Sequence, residues 1–313
     1  MLLIINNRIA IHLKLALFFA VSIFSCKRDS TNYFENLQGD WINSESQRTS
    51  TNTLIFSFVD SMCSYPTPSY PYIRYRLRAD TLIVDNGTGE SSDKPFTSTR
   101  SRNRQSLYLI DRINVDSLVL IVLSGHNHLF TAGFDHNMEK KIRLSRIKQQ
   151  SINQPIRLQL VSTSCYGSCP EQFIQVTPDG EIIFQGSRYV DKRGWHKGKL
   201  SCEQHQLLWN KVAQVDWNNL AQRYAASATD HPSYSLRRIN GKDATSIVMY
   251  GLAEAPESLQ ILIGHLTNLH QLYKLDSLHS PPQSALAAAY KIGSEHGMPP
   301  LAYNPIAPPH DIK

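Results

Sequence analysis

The rhythm of apolar and polar positions changes partway along the chain. From Asn36 to about Lys148 these positions alternate, or run apolar, in bursts of strand length. Leu54–Val59, Tyr72–Arg78 and Leu107–Ile110 are the clearest, and turn residues such as Asp85-Asn86-Gly87 separate them. Two similar hairpin halves recur, Arg78–Val84 and Asn114–Leu120, each with Asp followed by Thr or Ser ahead of an apolar strand. Seven or eight such strands over residues 36–149 predict an all-β domain, an antiparallel meander closed into a barrel.

Residues 153–276 have a different texture. Ile156–Val161 reads as a strand followed by a cysteine loop, and Gln172–Thr177 and Glu181–Phe184 flank the turn Pro178-Asp179-Gly180. Ser201 and Gln204 have the spacing of a capping box, and Leu207, Leu208, Val212 and Val215 supply the apolar face of the helix that follows. A second hairpin, Tyr234–Ile239 and Thr245–Tyr250, turns at Asn240-Gly241. A second helix starts near Pro256, with Leu259, Leu262, Ile263, Leu266, Leu269 and Tyr273 on its buried face. The order hairpin, helix, hairpin, helix predicts an α+β domain, an antiparallel sheet with both helices on one face. Residues 280–313 hold seven of the sixteen prolines. They read as an extended or disordered tail, in which Ala285–Lys291 has room for one or two helical turns.

The first 26 residues carry an address. Arg8 and Lys14 precede the apolar run Leu15–Ile23, which is shorter than the roughly 18–20 residues needed to span a bilayer and fits a secretory signal peptide over residues 1–25. Ile23-Phe24-Ser25-Cys26 resembles the lipobox of bacterial lipoproteins. The resemblance implies cleavage before Cys26, acylation of that cysteine (palmitate among its chains), and a polar tether over 26–35. Lys27 in place of aspartate implies the outer membrane, with the leaflet left open. Lys and Arg number 32 against 26 acids, a net charge of +6 that falls to +4 once Arg8 and Lys14 leave with the leader. So small an excess on an exported protein gives no reason to expect nucleic acid as a partner.

At the head of the meander, Gly39-Asp40-Trp41 resembles the G-x-W signature of lipocalin-like barrels, in which the tryptophan closes one end. That likeness implies a barrel that either holds a small apolar ligand or is filled by its own side chains. In the second domain, Cys165-Tyr-Gly167-Ser-Cys169-Pro170 leads a set that continues through Asp179-Gly180, Gly186, Gly194, Tyr224, Asp230-x-Pro232 and Pro256-x-x-Leu259. It resembles a family known only as a domain of unknown function and common in bacterial envelope lipoproteins, which implies no activity.

Four cysteines remain after Cys26: Cys63, Cys165, Cys169 and Cys202. In an oxidising envelope the expectation is a local Cys165–Cys169 disulfide, with Cys63 either free or reaching Cys202. Two sharper readings stand beside it. One is a redox-active pair. The other is a zinc site from Cys165, Cys169, Cys202 and His205, a Cys₃His set. His126, His128 and His136, with Asp135 nearby, are expected to be solvated loop residues. Asp230, His231, His196 and His205 are expected to be scattered rather than a triad, and Trp195, Trp209 and Trp217 to be packing residues. No nucleophile elbow, zincin motif or phosphate loop occurs. No cofactor is expected. The sequence points to a membrane-anchored envelope protein that binds or assembles without catalysis. The alternatives are a small apolar ligand in the barrel, or thiol or zinc chemistry at the cysteine loop.

Overall fold

The computed structural model describes residues 30–43, 55–64, 72–85, 105–124, 141–148, 155–166, 169–227 and 229–295. A short helix, α1 (Ser30–Leu37), leads into eight strands: β1 (Gly39–Asn43), β2 (Ile55–Val59), β3 (Met62–Ser64), β4 (Tyr72–Arg78), β5 (Thr81–Asp85), β6 (Gln105–Ile113), β7 (Ser117–Ser124) and β8 (Lys141–Arg146). They pair antiparallel in chain order, and β8 returns to β1 to close the barrel, with Trp41 opposite Phe56 on one side and Arg146 on the other. Alternation is visible in β6, where Ser106, Tyr108 and Ile110 are buried between half-buried neighbours. The inward chains form one cluster that includes Trp41, Phe56, Phe58, Tyr108, Leu118, Leu120 and Leu144.

The tether expected over 26–35 is helical from Ser30 onward. Tyr33 and Leu37 lie one turn apart, and both pack on the barrel core, Leu37 with no exposure at all. Phe34 stacks on Tyr75 with ring centroids 6.1 Å apart. Eight residues are too few for a stable isolated helix, so this burial at the barrel mouth holds it. The leader and Cys26 lie outside the described residues, as do His126, His128, Asp135 and His136.

The second unit is an eight-stranded sheet. Its strands are β9 (Ile156–Ser162), β10 (Glu171–Val176), β11 (Glu181–Arg188), β12 (Gly194–Lys199), β13 (Arg223–Ala225), β14 (Ser233–Asn240), β15 (Asp243–Tyr250) and β16 (Asp276–Ser277). They are ordered β13-β15-β14-β9-β10-β11-β12-β16. The sheet is mixed, because β13 runs parallel to β15. The capping box forms as expected at α2 (Cys202–Gln214): Gln204 N donates to Ser201 Oγ at 3.2 Å, and Ser201 N donates to Gln204 Oε1 at 2.9 Å. Next come α3 (Glu257–Thr267) and the single turn α4 (Leu269–Leu272). Leu208 and Val212 of α2 and Leu259, Leu262, Ile263 and Leu266 of α3 share a cluster with Leu160, Ile174, Phe184 and Leu236 of the sheet. Ile42 and Ile55 of the barrel join that cluster, so the barrel rests on the helical layer.

The two helices read from the sequence, α2 and α3, share one face of the sheet as expected, but the tail is not extended throughout. α5 (Gln283–Glu295) packs Ala285, Ala289 and Ile292 against Val161, Phe173, Ile183 and Trp195 on the opposite face. An alanine-rich helix of this length is weak alone but gains stability by covering an apolar surface. Residues 296–313 lie outside the described residues.

Candidate functional site

One end of the sheet gathers the features the sequence singled out. Ser162 is opposite Gln172 and Tyr234, Gly186 is opposite Gly194, and Ser233 is opposite Tyr250. The connections 163–170, 189–193, 226–232 and 251–256 therefore emerge at the same edge. In the first of these a disulfide joins Cys165 to Cys169, with Cα atoms 5.5 Å apart. Its base is tied down: Ser162 Oγ donates to the Pro170 carbonyl at 2.7 Å, and Thr163 N donates to the Ser233 carbonyl at 3.0 Å. Tyr166, inside the ring, is 89% exposed. A bridge across so short a loop stabilises by about 2 kcal/mol through lost chain entropy.

The neighbouring loops are strained or tightly packed. Tyr189 and Asp230 adopt φ of 54° and 69°, left-handed values that non-glycine residues rarely take. Gly186 is required by close approach, since a Cβ there would meet the Lys192 carbonyl oxygen at 2.0 Å. Lys192 Nζ donates to the His270 carbonyl at 2.6 Å, fixing the 189–193 turn to α4. The edge is thus a rigid frame displaying Tyr166, with the half-exposed Tyr189 alongside.

The zinc set does not assemble. The sulfurs of Cys165 and Cys169 are bonded to each other, and Cys202 and His205 lie at the far edge of the sheet. There His205 Nε2 lies 2.8 Å from the Pro178 carbonyl, in the β10–β11 turn. The six residues of β10, roughly 20 Å at the strand rise, separate the two edges. Among the described residues no three His, Cys, Asp or Glu side chains are placed to hold a metal. Cys63 and Cys202 are both free thiols; Cys63 is buried in the barrel core, where desolvation pushes its thiol pKa up, and Cys202 is exposed.

In the barrel, Gly39 takes φ of 109° and Trp41 is fully buried. Trp41 Nε1 donates to the Leu37 carbonyl at 2.7 Å, and the Arg146 guanidinium lies 4.1 Å from the centre of its ring. Arg146 also donates to the carbonyls of Asn36, Gln38 and Val115, so one side chain binds the helix, the signature tryptophan and the β6–β7 turn together.

A buried polar cluster joins the two units. Asp40, Ser57, Ser64 and Tyr72 stand in register across four barrel strands. Asp40 accepts from Ser57 Oγ at 2.5 Å and is salt-bridged to Lys211, which is 1% exposed. Tyr72 Oη lies 3.3 Å from His265 Nδ1, and Tyr273 Oη 2.9 Å from its Nε2. Burial and the Lys211 charge hold the His265 pKa well below the ordinary histidine value, so the ring is neutral. Burial and Asp40 push the Tyr72 pKa up. The cluster fastens barrel to helices and is closed to solvent.

Sequence reasoning missed Lys211, Asp40, His265 and Arg146. The only available sign was a lysine one position before Val212, on the flank of an otherwise apolar helix face. The left-handed Asp230 had a better signal, the Asp-x-Pro spacing. Comparison with curated proteins finds no match to the chain. Residues 156–270, from the first residue of β9 into α4, match the model of a family described as a domain of unknown function, DUF6438.

Proposed function

We propose that this is a lipid-anchored envelope protein whose second unit is a non-enzymatic binding module, with the disulfide edge as its contact surface. The observation that carries the reading is Tyr166, held almost fully exposed on a disulfide-closed loop whose base and neighbours are rigid. An aromatic ring presented on a preorganised frame loses little entropy on contact and is a good interface anchor. Among the described residues, thirteen buried strand side chains and Leu37 of α1 form one cluster in the barrel, which favours a structural barrel over one that carries a small apolar ligand. The bonded Cys165 and Cys169, remote from Cys202 and His205, favour a clamp over thiol or zinc chemistry.

The test is a photoreactive aromatic residue placed at position 166 in intact cells, with position 242, in the β14–β15 turn at the opposite edge, as control. The reading predicts a discrete cross-linked species from 166 that is absent from 242 and lost in the Cys165→Ser variant. Equal, diffuse cross-linking from both positions contradicts it.

A further inference from the structure

The barrel's two ends are unlike. At one end α1 lies across the mouth, since Tyr33 and Leu37 both pack on the core, and the strand connections there are tight: 60–61, 79–80 and 114–116. In the last of these, Asn114 Oδ1 accepts from the backbone N–H groups of Asp116 and Ser117 at 2.9 and 2.7 Å, which makes a stiff turn. That turn pushes Val115 outward to 72% exposure, an unusual residue for a turn tip. Phe34 on α1 is 39% exposed. Arg146 donates to the carbonyls of both Asn36 and Val115, so the two apolar side chains belong to one rigid surface.

From Cys26 to Ser30 is four residues, a reach of at most ~14 Å for extended chain. An acyl chain on Cys26 would hold the start of α1, and with it this end of the barrel, within that distance of the headgroups. We infer that the helix-capped end of the barrel is the molecule's membrane face, set against phospholipid headgroups with Phe34 and Val115 as its apolar contacts. The inference rests on the lipid-anchor reading of Cys26.

Charge sets how deep this face sits. Glu35, Asp60, Asp80 and Asp116 outnumber Arg78, Arg112 and Arg146 around it. The face therefore gains nothing from anionic lipid beyond Lys27 and Arg28 on the tether, and its acids keep it at headgroup level rather than among the acyl chains. The opposite end of the barrel faces away from the bilayer. Leu123, eight residues along from Val115 and roughly 25 Å at the strand rise, marks that direction.

The experiment uses the full protein purified from membranes, with Val115→Cys or Leu123→Cys each in a Cys202→Ser background. Cys63 is buried and Cys165–Cys169 is bridged, so on a protein acylated at Cys26 an environment-sensitive thiol dye reports one site. Each sample is placed in phosphatidylcholine vesicles carrying a headgroup-linked nitroxide quencher, and the mass of its N-terminal peptide is measured. The expected result is an acylated Cys26 with quenching several-fold stronger at position 115 than at 123. Equal quenching, or stronger quenching at 123, on an acylated protein overturns the membrane face and leaves the anchor standing. An unacylated N-terminal peptide overturns the anchor, and the membrane face falls with it.

Discussion

The barrel and the sheet bury their strands differently. In the barrel β4 and β6 turn one face inward and the other outward, so burial alternates along them, while β1 and β2, against the helical layer, are buried throughout. In the sheet both faces are covered. β10 is buried from Gln172 to Val176 without a break, and β11 from Ile182 to Gly186. α2 and α3 cover one face, and α5 covers the other. The two covers are not equally matched. The first is a large cluster of aliphatic and aromatic side chains. Beneath or beside α5, Gln159 Oε1, Ser235 Oγ and Trp195 Nε1 have no hydrogen-bond partner among the described residues. A sheet that needs two covers can recruit the second from a segment that reads as a tail.

The largest expected effect is at the joint between the two units. Lys211→Met leaves Asp40 buried and uncompensated, a loss of about 3–5 kcal/mol in urea denaturation. Adding Asp40→Asn should return most of it. A single variant within about 1 kcal/mol of the parent would mean the cluster does not fasten the units. The second prediction contrasts the sheet's outer cover with the barrel's outer surface. Ile292→Ala should cost about 2–4 kcal/mol. Leu123→Ser, on an exposed barrel position, should cost no more than about 0.5 kcal/mol. Equal effects would mean that α5 is not part of the folded unit.

A smaller effect follows from acid. His270, stacked on Phe184, has its pKa lowered from 6.5 to about 4, chiefly by burial. Its native ring stays unprotonated through that window while the unfolded ring binds a proton. The stability it contributes is therefore full above pH 6.5 and is lost as the pH falls toward 4, on the order of 2–3 kcal/mol. His265, lowered in the same direction, adds to the slope. Denaturation midpoints across this range should fall with pH, and His270→Phe should flatten the fall.

Much of this architecture was legible in the sequence because it rests on local signals. The barrel strands alternate, Ser201 and Gln204 cap a helix, and Leu259 through Tyr273 keep helical spacing. The remainder depends on long-range contact. Ala285, Ala289 and Ile292 read as a weak helix until Phe173 and Trp195 supply the surface they cover. Tyr33 reads as part of a tether until the barrel core receives it. At the candidate site the cysteine spacing foretold a clamp, but the gathering of Asp230, Tyr189 and Tyr166 at one edge follows from strand order, which no local pattern encodes. Lys211 and Asp40 are 171 residues apart, and neither has a neighbour in sequence that announces the other.

In the proposed function the cysteine loop is a clamp for a displayed surface rather than a centre of chemistry. A non-reducing peptide map of the mature protein, with alkylation of free thiols and a metal assay on the same sample, tests this directly. The account predicts a Cys165–Cys169 bridge, unbridged Cys63 and Cys202, and no stoichiometric metal. Readily alkylated Cys165 and Cys169, or zinc at one equivalent per chain, would contradict it.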